Sequence, residues 1–140
     1  TAIDLLKCER IDHGYTIIDN PELVQHAKLL NMPFAVVPTN SYYLRTFTDE
    51  EWAQKHPIRR MHEMGLKLFP NSDDPTMHHI RISESWYLMF NFLGFTLADL
   101  RAMVENSIDA AWVTDTEKAE WKKTWLPEFD RLAAALPPLD

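Results

Sequence analysis

Asp73 and Asp74 stand side by side in the stretch Asn71-Ser72-Asp73-Asp74-Pro75, directly after the short apolar run Leu66-Lys67-Leu68-Phe69. Carboxylates so placed can hold a metal ion, exchange a proton or fix a polar ligand. An earlier run, Arg10 to Asp12, ends in the same way in His13-Gly14, and its imidazole is a second metal-binding or acid/base group. If both runs are parallel strands, the two groups leave the sheet in the same direction. Loops after strand C-termini are where ligands bind in α/β sheets and barrels. Asp is also a favoured helix N-cap and turn residue, so these residues alone leave open a purely structural role for the pair, and equally for His13.

Other candidate groups carry less. His78 and His79 are adjacent, so on a helix or strand they would not face one metal, and a solvated loop pair is expected. His26, His56 and His62 fall on or near helical segments and read as surface or helix-end residues. Cys8 is the only cysteine, which excludes an internal disulfide and a Cys-x-x-Cys zinc site and fits a reducing compartment. Three glycines leave no phosphate-cradling loop. A net charge of -7, with no basic stripe, argues against a nucleic-acid partner. The richest apolar run, Trp86 to Phe95, is too short to span a bilayer and is interrupted by Asn91, so no membrane partner is expected and the chain reads as cytoplasmic.

The elements that must position these groups follow from period and punctuation. Short apolar strands alternate with helical segments, the grammar of an α/β fold with a parallel sheet. Thr1 to Lys7 reads as the last turns of a helix and Arg10 to Asp12 as the first strand. Asn20-Pro21 gives an N-cap with Pro at the first helical position. Phe34 to Val37 is the second strand, running into Pro38-Thr39-Asn40-Ser41. Thr48 to Glu51 has capping-box spacing, and His56-Pro57 opens a helix that Gly65 ends in a left-handed C-cap. Leu66 to Phe69 is the third strand.

Three helices without a further strand are expected after it: Ser83 to Leu93, Thr96 to about Trp112, and Thr116 to Leu136. Trp121, Trp125, Phe129, Leu132 and Leu136 recur at helical spacing in the last of these, as a core-facing stripe would. Three β-α units alone would leave two open sheet edges. Residues 1–140 are therefore expected to be the last part of an eight-unit (β/α)8 TIM barrel, entered in mid-helix.

Taken in order, Glu9-Arg10-Ile11-Asp12-His13-Gly14, Pro38-Thr39-Asn40-Ser41, His56-Pro57-Ile58, Gly65, Asn71-Ser72-Asp73-Asp74-Pro75, Gly94-Phe95-Thr96 and Asn106-Ser107 resemble the adenosine deaminase family of zinc-dependent adenosine and adenine aminohydrolases. The resemblance covers essentially the whole chain and implies strands six to eight of the family's barrel. It implies that Asp73 is a ligand of Zn2+, that Asp74 holds the purine imidazole nitrogen, and that His13 orients the attacking water and stabilises it as hydroxide. The family's His-x-His pair, its remaining zinc histidine and its proton-donating Glu have no counterpart here, so the other ligands are expected outside this chain. The implied activity is hydrolytic deamination of adenosine or a related 6-aminopurine, with release of ammonia. Alternatives are an adenine deaminase acting on the free base, or a non-catalytic fragment. The expected partners are a small-molecule purine and either the missing N-terminal half of the barrel or a second copy of the chain.

Overall fold

The computed structural model describes residues 2–39 and 48–137. Three short strands, β1 (Ile11–Asp12), β2 (Pro33–Val36) and β3 (Lys67–Pro70), form a parallel sheet in the order β1-β2-β3. Ile11 is level with Phe34, and Phe34 with Leu68. Helices fill the connections, as parallel strands require. The chain is thus an α/β fold with a parallel sheet. No helix among the described residues is long and apolar enough to cross a membrane.

A 3₁₀ turn (Tyr15–Asp19) leads from β1 into α1 (Pro21–Leu29), where the Asn20 side chain accepts the Leu23 N–H at 3.0 Å. Helices α2 (Asp49–Lys55) and α3 (Pro57–Glu63) precede β3. Gly65, at φ 78, turns the chain from α3 toward β3 in the left-handed region that favours glycine. After β3 come α4 (Pro75–His78), α5 (Ile82–Asn91), α6 (Leu97–Asp109) and α7 (Asp115–Ala134). The Thr96/Asp99 and Thr114/Glu117 capping boxes both form. Thr48 is the N-cap of α2, but its side chain accepts no capping bond. Asn40, Ser41 and Pro138 lie outside the described residues.

The core forms where β2 is sandwiched: Phe34, Ala35 and Val36 are at most 1% exposed and pack with Leu68, Ile58, Met61, Met89 and Met103. Polar ties fasten α6 and α7 around it. Arg101 forks onto Asp130 at 2.6 and 3.0 Å, Lys122 bridges Glu105 and Asp109, and Lys67 of β3 reaches Asp109 at 2.9 Å.

Two expected elements differ. Residues 2–6 form successive turns rather than the end of a helix. Ile3 packs into the core, but Leu5 and Leu6 are both 79% exposed, so burial there holds one side chain rather than a helical face. The stripe on α7 is not a core face among the described residues: the helix has no buried residue, Trp125 is 48% exposed, and only Phe129 leans on the core. Trp121 and Trp125 instead stack on one another, with ring centroids 5.0 Å apart and planes 6° from parallel. Periodicity shows that a helix is amphipathic, not what covers its apolar side.

Candidate active site

β1 delivers His13 and β3 delivers the Asp pair, both on the C-terminal side of the sheet. The His13 N–H donates to the Ala35 carbonyl at 2.9 Å and the Asn71 N–H to the Val36 carbonyl at 2.7 Å, one rung past the ends of β1 and β3. At both places the chain then breaks sharply from the strand direction. His13 (φ 62) and Asp73 (φ 56) lie in the left-handed region that non-glycine residues seldom adopt. Gly14, at φ 70, continues the first break, and a Cβ there would lie 2.8 Å from Ile11 Cγ2 and 3.0 Å from the Phe34 ring. The second break is an Asx turn, in which the Asp73 N–H donates to Asn71 Oδ1 at 3.0 Å.

These turns bring His13 Nε2 within 3.6 Å of Asp73 Oδ2, with the two side chains 35% and 30% exposed. That separation is long for a hydrogen bond, but short enough for both groups to face one small species. Asp74 occupies the N-cap position of α4, yet its exposed side chain makes no capping bond. Asp74 thus does not cap α4 through its side chain. Asp73 faces His13.

An aromatic wall that the sequence reading passed over stands behind His13. The Tyr15 ring meets His13 edge-on at 5.8 Å and His56 edge-on at 5.3 Å. Its hydroxyl donates to the Val37 carbonyl at 3.1 Å and accepts the Val37 N–H at 2.8 Å. Burial pushes the Tyr15 phenol up to about 12, with the Val37 bond opposing, so it stays a neutral donor and acceptor. Trp52 closes the wall, donating its indole N–H to the Pro38 carbonyl at 2.8 Å and packing edge-on against His56.

One histidine expectation is borne out and one is corrected. His56 is at a helix end, as expected, but it is buried at 3% exposure, and its Nδ1 caps α3 by accepting the Ile58 N–H. Burial lowers its imidazole to about 4. His78 is buried within α4, while its neighbour His79 is exposed at φ 49, so the two are not a solvated pair. Adjacent positions on one short helix turn face opposite surroundings, and sequence neighbours do not reveal which of them faces inward. The only signals for Tyr15 and His56 were their places, two residues past a strand-end His and directly before a helix-opening Pro.

A divalent cation fits this site in part. The chemistry of the donors is right: a carboxylate oxygen with an imidazole beside it, presented at strand ends. The number is short, since no group of three or more His, Cys, Asp or Glu side chains placed to hold a metal exists among the described residues.

Comparisons with known proteins bear on the same segments. The adenosine deaminase family pattern matches residues 1–124. An adenine deaminase from Cupriavidus taiwanensis is 32% identical over 136 residues, covering 97% of this chain and 37% of the relative. One from Pseudomonas entomophila is 37% identical over 112 residues, covering 80% of this chain and 34% of the relative. Among solved structures, an amidohydrolase from Burkholderia ambifaria with bound zinc superposes with a TM-score of 0.91 at 55% identity, covering 96% of this chain and 37% of that one. An adenine deaminase from Arthrobacter aurescens superposes with a TM-score of 0.81 at 28% identity, covering 96% and 39%. The chain thus spans a little over a third of the length of these proteins. With the family pattern running from the segment before β1 into α7, the chain belongs to the adenosine deaminase family.

Proposed function

We propose that residues 1–140 are the closing β-α units of a (β/α)8 barrel, and that the whole protein is a zinc-dependent aminohydrolase removing the 6-amino group of a purine, with free adenine as substrate. The observation that carries the reading is the approach of His13 Nε2 to Asp73 Oδ2, 3.6 Å apart, at the C-terminal ends of two parallel strands. Adenine rather than adenosine is favoured because the relatives from Cupriavidus, Pseudomonas and Arthrobacter are adenine deaminases. The family pattern itself is that of adenosine deaminase.

In this reading Asp73 offers a carboxylate oxygen to zinc, and the remaining ligands come from outside this chain. Bound zinc supplies Lewis acidity, which brings the pKa of a water from 15.7 down to about 7. His13 orients the attacking water toward the amino-bearing ring carbon and takes up its developing charge through the imidazole. Asp74, whose carboxylate is exposed and makes no capping bond, accepts a hydrogen bond from the imidazole side of the purine and fixes the base. Water adds across the ring C–N bond, a proton moves to the departing amino group, ammonia leaves and a 6-oxopurine remains. The residue that protonates the ring lies outside this chain.

The test uses the full-length enzyme containing this segment, supplied in parallel with adenine and adenosine while ammonia is followed. Faster release from adenine is expected. Asp73→Ala should lose zinc together with activity, whereas Asp74→Ala should keep zinc and lose both affinity and rate. Ammonia from neither purine, or full zinc occupancy after Asp73→Ala, would overturn the reading.

A further inference from the structure

The ladder between β1 and β2 stops before it should. Asp12 is level with Ala35, and His13 donates its N–H to the Ala35 carbonyl at 2.9 Å. In a parallel pair the next rung would use the N–H and C=O of Val37. The chain cannot supply that rung from its backbone, because His13 and Gly14 both turn it away at positive φ. Val37 is nevertheless 2% exposed, so its two backbone groups need partners. Both find the same one: the Tyr15 hydroxyl accepts the Val37 N–H at 2.8 Å and donates to the Val37 carbonyl at 3.1 Å. A side chain thus replaces a strand residue and carries the ladder one rung past the turn.

The consequence falls on His13. Its backbone is pinned to Ala35 on one side of the turn, and Tyr15, on the other side, is pinned to Val37 two residues further along the same strand. The Tyr15 ring also lies edge-on to the imidazole at 5.8 Å. We propose that Tyr15 is a positioning residue: its hydroxyl, by closing the missing rung with Val37, sets the left-handed turn at His13 and so the placement of the His13 imidazole against Asp73. The proposal rests on the catalytic reading of His13 for its effect on rate, but not for its effect on geometry.

Tyr15→Phe in the full-length enzyme removes both bonds and keeps the ring between His13 and His56. Its crystal structure is expected to show the imidazole displaced from Asp73. The value of kcat should fall roughly ten- to hundredfold, the scale for a misplaced group, with KM for adenine and zinc content nearly unchanged. If Tyr15 works through His13, Tyr15→Phe should change little when added to His13→Ala. 4-Aminophenylalanine at position 15, which again offers a donor and an acceptor, should restore His13 placement and part of the rate, and it serves as well if the Phe variant folds poorly. An unmoved imidazole in an ordered Tyr15→Phe structure would overturn the proposal whatever the rates. An equal loss of rate with and without His13 would also overturn it, since that is what a general packing defect gives. If His13→Ala itself left the rate intact, the catalytic reading would fail, while displacement of the imidazole in Tyr15→Phe would still decide the positioning role.

Discussion

His13 and His56 are the same residue type in opposite settings, and their variants should separate accordingly. The His13 side chain is 35% exposed and belongs to no core cluster, so its removal should cost little stability. In the full-length enzyme His13→Ala is expected to lower kcat by about 10²-fold or more, the scale of a positioned acid/base or electrostatic group. Melting temperature and zinc content should hardly move. Steady-state kinetics beside calorimetry checks this, and a variant that melts early but turns over normally would make His13 a packing residue. His56 is read out by pH. Burial disfavours its charged form, so the folded protein protonates it near pH 4 and the unfolded chain near 6.5. Between those values the unfolded state binds more protons, so stability is full above about 6.5 and declines as pH falls toward 4, by about 3 kcal/mol from this group. His56→Asn keeps an oxygen able to cap the Ile58 N–H and should lose that much less stability across the same window. Denaturant midpoints for both proteins at several pH values test it, and parallel curves would refute the assignment.

At the level of elements, the turns at strand ends are the most demanding parts of the fold. Gly14 combines φ 70 with a Cβ position 2.8 Å from Ile11 Cγ2 and 3.0 Å from the Phe34 ring, and Phe34 is core. Left-handed backbone costs a non-glycine residue roughly 1–2 kcal/mol, and overpacking adds about 1–3 kcal/mol. Gly14→Ala is therefore expected to destabilise by about 2–5 kcal/mol. Gly65 is the control. It has a similar φ of 78, but a Cβ there would meet only the Lys28 side-chain tip, at 3.2 and 3.4 Å, so Gly65→Ala should cost only the backbone part. Chemical denaturation of the two variants side by side measures the difference, and equal losses would show that the contact with Phe34 relaxes freely.

For the molecule as a whole, the described residues leave large apolar side chains uncovered. Trp112 is 71% exposed, Leu132 53% and Leu136 50%, all near or on α7, and the sheet has three strands among the described residues. At about 25 cal/mol per Å² of apolar surface, several half-covered large side chains forfeit several kcal/mol, comparable with the ~5–15 kcal/mol stability of a domain. This polypeptide on its own is thus expected to associate or to unfold without cooperativity. Light scattering after size exclusion, followed by thermal unfolding, provides the check. A monodisperse 16.4 kDa monomer with one sharp transition would refute it.

Much of the secondary structure was legible because its signals act within one turn. Asn20-Pro21, the Thr96/Asp99 and Thr114/Glu117 boxes and Gly65 each close hydrogen bonds or turns over a few residues, and each stands where the sequence places it. The strand ends at His13 and Asp73 were legible in the same way, as apolar runs that stop at polar groups. Their meeting at 3.6 Å was not. It needs the order β1-β2-β3 and two left-handed turns, the first of them fastened by a tyrosine bonded to a residue 22 positions away. Long-range geometry likewise buried His56 and His78 and left Trp125, Leu132 and Leu136 of the α7 stripe exposed. A side chain's type and its neighbours in sequence fix what it can bond to, whereas burial depends on which distant elements arrive to cover it, and only the packed chain decides that.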